Sequence, residues 1–147
     1  MLFIVRHGQT ELNSRWALQG RSNHPLNEQG IAQARAAAAS LHEIVFDHVF
    51  TSPLRRAVET ARIIAPDVPA EVDNRLIEME YGPYEGIDLR NPPPEVVTFF
   101  SDFVRNPAPA GMEQLSQVVT RTGAFLEEIK GLDGNILIST HAIAIKA

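Results

Sequence analysis

Leu2-Phe3-Ile4-Val5-Arg6-His7-Gly8 is the stretch on which the reading of this chain turns. Its first part is short, apolar and β-branched, which describes a buried strand. The strand delivers Arg6 and His7 at its carboxyl end, just before a glycine. Ile136-Leu137-Ile138-Ser139-Thr140 is a second apolar run, and it also ends in a histidine, His141. Ligands of open α/β sheets sit in the crevice outside the carboxyl ends of the strands. Two strands that each present a histidine there point to one shared site. An imidazole beside an arginine is equipped to attack phosphorus.

The segments between these runs alternate helical and extended patterns. Gly8 to Pro25 is polar and broken, and reads as a loop over the first strand's end. Asn27 is a good N-cap for an alanine-rich helix over 28–43, with Ile31, Ala34, Ala38 and Leu41 on one face. Gly30 in its first turn weakens that helix. His48 to Thr51 reads as a second strand. Ser52-Pro53 then opens a helix running to about Ala65, with serine as cap and proline at the first helical position. A third strand lies near 70–73, and a polar, aromatic connection spans 75–86. Pro92-Pro93-Pro94 precedes a short helix over 95–104, and the strongest helical spacing runs from Met112 to Ile129. Strands separated by helical lengths imply right-handed βαβ crossovers, and hence an α/β fold with a mostly parallel sheet.

The chain has 147 residues, which fits a single domain with a core of its own. It contains no cysteine, so disulfides, thiolate metal sites and cysteine nucleophiles are excluded. A cytoplasmic location is expected on the same ground. No uninterrupted apolar run is long enough to span a bilayer, so no membrane partner is expected. The net charge is −5. An acidic whole argues against nucleic-acid binding, which relies on a basic surface. A few arginines gathered in one cleft can still hold a small phosphorylated metabolite or inorganic phosphate.

His7 is the candidate nucleophile, because a neutral imidazole is nucleophilic near neutral pH. Arg6, with Arg55 or Arg56, is the candidate phosphate clamp, since guanidinium meets phosphate oxygens as a fork and stays charged. Spacing leaves the choice between Arg55 and Arg56 open. Glu78 is the candidate general acid and, after leaving-group departure, the base that activates water. Glu80 and Glu85 compete with it. His141 is a second imidazole able to donate to phosphoryl oxygens. Taken singly, each of these residues has an ordinary structural reading as a loop, core or surface group. No His-Glu-x-x-His, P-loop or Gly-x-Ser-x-Gly pattern occurs, so no metal and no cofactor is expected.

Together these residues form ordered motifs. Arg6-His7-Gly8-Gln9-Thr10-Glu11-Leu12-Asn13 resembles the signature of the histidine phosphatase superfamily, in its phosphoglycerate-mutase-like branch. Leu18-Gln19-Gly20-Arg21 and Pro25-Leu26-Asn27-Glu28-Gln29-Gly30 are similar to that family's loop and first helix. Thr51-Ser52-Pro53-Leu54-Arg55-Arg56-Ala57 and Leu76-Ile77-Glu78-Met79-Glu80-Tyr81-Gly82 resemble its second and third motifs, and Ile136 to His141 its last. The resemblance implies a three-layer αβα sandwich and phosphomonoester hydrolysis through a phosphohistidine on His7. It implies that Arg6, Arg56, Asn13 and His141 hold the phosphoryl group, favouring Arg56 over Arg55, and that Glu78 is the proton donor. Gln19, Gly20 and Ala142 join the expected substrate-binding set through the matching motifs.

Three departures shape the expectation. Ala142 stands where the family usually has glycine. Met79-Glu80 replaces the Arg-His of glycolytic mutases, which weighs for a phosphatase over a mutase. The sequence stops six residues after His141, where the family continues with a helix and an edge strand. A shortened domain over 1–147 is therefore expected, with a free sheet edge that could pair in a homodimer. A cofactor-dependent mutase and a weakly active phospho-ligand binding protein are the alternatives.

Overall fold

The computed structural model describes all residues, 1–147. Four strands form one parallel sheet: β1 (Leu2–Arg6), β2 (His48–Thr51), β3 (Ala70–Val72) and β4 (Ile136–Thr140), in the spatial order β1-β4-β2-β3. The helices are α1 (Glu11–Ser14), α2 (Glu28–Ser40), α3 (Arg55–Ile64), α4 (Pro94–Ser101), α5 (Leu115–Ile129) and α6 (Ala142–Lys146), with 3₁₀ turns at Asn74–Leu76 and Gly82–Tyr84.

Alternation along the strands builds two apolar faces. Val49 and Leu137 pack with Phe46, Ala61, Ile64 and Ala65 beneath α2 and α3. Phe50, Ile136 and Ile138 pack on the other face with Phe125 and Ile129 of α5. These are the three layers that the resemblance implies. A third cluster, around Met79, Tyr81, Val96, Phe99, Val118 and Ile143, ties α4 to α5 and α6 beside the carboxyl ends of the strands. Strands β1 and β3 are the sheet edges, and Leu2 and Ile4 of β1 remain exposed.

Several boundaries differ from the sequence expectation. Helix α2 ends at Ser40 rather than 43, α4 ends at Ser101 rather than 104, and α5 begins at Leu115 rather than Met112. Met112 instead inserts into the third apolar cluster, after a turn at Gly111 with φ +91. The loop 8–25 contains α1, which Thr10 and Asn13 close with a reciprocal capping box. Ser52-Pro53 does not start α3. The helix begins at Arg55, its N-cap is Leu54 without a side-chain bond, and the Ser52 hydroxyl serves elsewhere.

Gly30 has a reason that the sequence hides. A Cβ there would lie 2.0 Å from the Gln9 carbonyl oxygen, and one on Gly8 would lie 2.3 Å from the Gly30 carbonyl oxygen. The two glycines let the first turn of α2 press against the backbone that carries His7. Asn27 caps that turn, accepting the Gly30 N–H at 2.9 Å.

Candidate active site

Strand pairing sets the site's frame. Arg6 lies opposite Thr140, so the next residues, His7 and His141, leave the sheet side by side. Their ring centroids are 5.1 Å apart. The His7 Nδ1–H donates to the Gly8 carbonyl at 2.6 Å, which leaves Nε2 as the unprotonated nitrogen. The Gly8 N–H in turn donates to Thr60 Oγ1 of α3 at 3.1 Å, fixing the turn below the ring. Burial drives the His7 pKa down to about 3, with Arg56 and Arg6 adding repulsion. The ring is neutral across the ordinary pH range.

Arg56 is fully buried. Its Nε–H donates to His7 Nε2 at 3.2 Å, and Nη1 and Nη2 donate to the Ser22 and Gly20 carbonyls, each at 2.6 Å. Five N–H groups less three engaged leave one on each Nη for an anion. Burial lowers its pKa to about 10, which keeps the guanidinium charged at neutral pH. The ambiguity at 55–56 is resolved by geometry: Arg55 is exposed and pairs with Glu59 at 3.3 Å. Arg6 is exposed at the mouth of the cavity, which it lines together with His7, Asn13, Gln19, Glu78 and Ala142.

His141 is fully buried, and its Nε2 is 2.7 Å from Ser52 Oγ. That hydroxyl also accepts the Leu54 N–H at 3.3 Å. Nδ1 of His141 has no partner in the protein. A buried polar atom without a partner is costly unless something else satisfies it. Burial, followed by the Arg56 charge, holds the His141 pKa well below its ordinary value.

Glu78 is 4% exposed. Its Oε1 accepts the Met79 and Ala144 N–H groups at 2.9 and 3.3 Å, and Oε2 accepts Ile143 N–H at 3.3 Å. Burial raises its pKa and outweighs those three bonds, which favour the ionised form. The competing carboxylates are engaged elsewhere. Glu80 pairs with Arg21 at 3.1 Å, and Glu85 holds the Gly20 N–H at 2.9 Å and the Ser22 N–H at 3.2 Å.

Of the expected substrate-binding residues, Gly20 departs from its assignment. Its N–H is taken by Glu85 and its carbonyl by Arg56; like the fully buried Arg56 and His141 it is not part of the cavity lining, but unlike them it has no N–H left to offer. It supports Arg56 instead. Asn13 Oδ1 accepts from the Thr10 N–H at 3.1 Å, so its amide donors are free to face the cavity. Gln19 Oε1 accepts from Thr10 Oγ1 at 2.7 Å, while its buried Nε2 is unpartnered. Sequence reasoning missed Ser52, Thr60 and Glu85 as supports. Ser52 carried a local signal, but one that pointed to helix capping. Thr60 and Glu85 act across long sequence separations and carried none. No group of three or more His, Cys, Asp or Glu side chains is arranged to hold a metal.

The profile of the histidine phosphatase superfamily (branch 1) matches residues 2–147. The chain belongs to the histidine phosphatase superfamily. It is 32% identical to the adenosylcobalamin/alpha-ribazole phosphatase of Salmonella typhimurium, over 95% of this chain and 73% of that protein. It is also 32% identical to a 2,3-bisphosphoglycerate-dependent phosphoglycerate mutase of Gloeobacter violaceus, over 100% of this chain and 73% of that one. Among solved structures, a mycobacterial glucosyl-3-phosphoglycerate phosphatase complexed with VO3 superimposes with a TM-score of 0.88 at 28% identity. That match covers 98% of this chain and 77% of the other. The family and these phosphatase relatives support a phosphoric monoester hydrolase acting on phosphorylated small molecules. No helix is long and apolar enough to cross a membrane.

Proposed function

We propose that the chain hydrolyses phosphomonoesters in two steps through a phosphohistidine on Nε2 of His7. The phosphoryl oxygens take the free N–H groups of Arg56, the Arg6 guanidinium, the Asn13 and Gln19 amides and the Nδ1–H of His141. His7 Nε2 attacks phosphorus in line. As the P–O bond to the alcohol breaks, Glu78 gives its proton to the departing oxygen. The resulting carboxylate then takes a proton from water, whose oxygen attacks the phosphohistidine. The P–N bond breaks, inorganic phosphate leaves and Glu78 is reprotonated. Ala142 lines the cavity, and a cytoplasmic location goes with this reading.

One observation carries the assignment: a neutral imidazole whose unprotonated nitrogen, held by the Arg56 Nε–H, shares a cavity wall with a buried carboxyl biased toward its acid form. The mutase alternative is weaker here. Met79 is fully buried in the core and Glu80 is spent on Arg21, so positions 79–80 bring no cation to a second acidic group. The decisive test is an acid-labile, base-stable phosphoryl label on His7 after a rapid quench with labelled substrate. Its absence, or full turnover in His7→Ala, sinks the assignment. Phosphoglycerate isomerisation faster than phosphate release would favour the mutase.

A further inference from the structure

We infer that the alcohol carried by the phosphoryl group is apolar: the substrate is the phosphate monoester of a hydrocarbon-rich alcohol, not of a sugar or a hydroxy acid. The inference rests on the phosphatase reading and adds the leaving group to it. The cavity above His7 has a volume of about 520 Å³, far more than a phosphoryl group fills. Most of its polar groups, those of Arg6, His7, Asn13, Gln19 and Glu78, belong to the reacting end. The rest of the wall is mainly apolar, with Leu18, Leu89, Val96, Val97, Phe100 and Ile143. Val97 and Leu89 stay 52% and 37% exposed, so they offer apolar surface to a ligand. The wall is pre-formed. Leu18 N–H donates to the Ile87 carbonyl at 2.9 Å and Leu89 N–H to the Trp16 carbonyl at 2.8 Å, pinning one rim to the other.

A sugar would find few partners there. Beyond the phosphoryl end, the lining offers the Tyr81 and Ser101 hydroxyls and Lys146. Tyr81 brings one hydroxyl on an otherwise buried ring, and the Ser101 hydroxyl already donates to the Thr98 carbonyl at 2.7 Å. Lys146 is the only charged lining residue outside the reacting end, and it leans over the Phe103 ring at 5.7 Å. Hydroxyls and carboxylates buried against such a wall lose water without replacement, whereas apolar groups gain by leaving it.

The test pairs two esters of similar size and similar leaving-group chemistry, cyclohexylmethyl phosphate and glucose 6-phosphate. We expect kcat/KM to favour the cyclohexylmethyl ester by about tenfold or more, as hydrophobic pockets discriminate. Val97→Asp, at an exposed position, should cut turnover of that ester by about tenfold while vanadate inhibition changes less than about twofold. Lys146→Ala should leave cyclohexylmethyl phosphate turnover within about twofold. Equal turnover of the two esters, or preference for the sugar phosphate, overturns the inference and leaves the phosphatase reading standing. Calorimetric binding of both esters to His7→Ala separates the opposite case. Selective binding of the apolar ester with no turnover by the parent upholds the pocket's preference and overturns the phosphatase reading.

Discussion

Replacing Glu78 with glutamine tests the proton donor with little change of shape. Glu78 receives three backbone N–H bonds, two on Oε1 and one on Oε2. Glutamine keeps one oxygen. Turned toward Met79 and Ala144, it sets its amide group against the Ile143 N–H, so one bond is lost. That costs about 1–2 kcal/mol, which a domain stable by roughly 5–15 kcal/mol survives. The kinetic loss is larger and depends on the ester. A positioned acid contributes about 10²–10⁴-fold when the leaving oxygen is an alkoxide, equivalent to about 3–5 kcal/mol of barrier. Nitrophenolate leaves without a proton, so its release should slow by about tenfold or less. The water-activating step still lacks its base, so nitrophenolate should appear in a burst followed by a slow steady state. Rapid-quench kcat/KM for an alkyl ester against p-nitrophenyl phosphate reads the difference. Equal losses for both esters would show that Glu78 shapes the cavity without passing a proton, and the role would be withdrawn.

Three further outcomes follow from the same geometry. Arg56→Lys cannot span His7 Nε2 and the Gly20 and Ser22 carbonyls together, so kcat/KM should fall about 10²–10³-fold and urea stability by about 1–3 kcal/mol; parent-like kinetics would refute its contact with the phosphoryl group. His7 is held near 3 and His141 is also lowered, so the unfolded chain binds more protons than the folded one below about pH 6.5. Stability is therefore full above that pH and is lost as pH falls toward 3, by on the order of 3–5 kcal/mol for His7; urea titrations should show a flatter acid limb in His7→Gln, and parallel limbs would refute the linkage. Gly30→Ala gains about 1 kcal/mol of helix propensity but sets a methyl group 2.0 Å from the Gln9 carbonyl oxygen, so it should lower stability by about 1–3 kcal/mol, checked by thermal unfolding; a stabilised variant would refute the contact.

The sheet was legible because β1, β2 and β4 carry short apolar runs with helical spacing between them, although only β4 is buried on both faces throughout. Leu2–Arg6 and His48–Thr51 match the expected bounds, and β4 covers the apolar run Ile136–Thr140. The helix ends were less legible because they depend on contacts distant in sequence. Met112 fits the helical period of α5, yet it leaves the helix to fill the cluster around Val118. Candidate site residues that the structure brings together, His7, Glu78 and His141, were singled out where a residue type and its chemistry coincide, whereas spacing alone left Arg55 and Arg56 undivided. The site was unreadable where a residue acts on another. Ser52 looks like a helix cap from its neighbours, but the fold turns its hydroxyl onto His141, 89 positions away. Gly20 sits in a loop motif that resembles a ligand contact, but Glu85 claims its N–H first.

Charge balance explains why these groups work as a set. At neutral pH the reacting end holds two guanidinium groups, two imidazoles kept neutral by burial and by those guanidinium groups, and a carboxyl pushed toward its acid form. A phosphomonoester dianion cancels two positive charges. Ionised Glu78 would leave the complex with excess negative charge in a largely dehydrated place, so the dianion itself favours the proton that the alcohol needs. A second anionic group on the substrate would break this balance, with only Lys146 at the rim to meet it. The same electrostatics that equips the site to cleave a single phosphoryl group thus disfavours a doubly phosphorylated ligand, the one that a mutase has to retain.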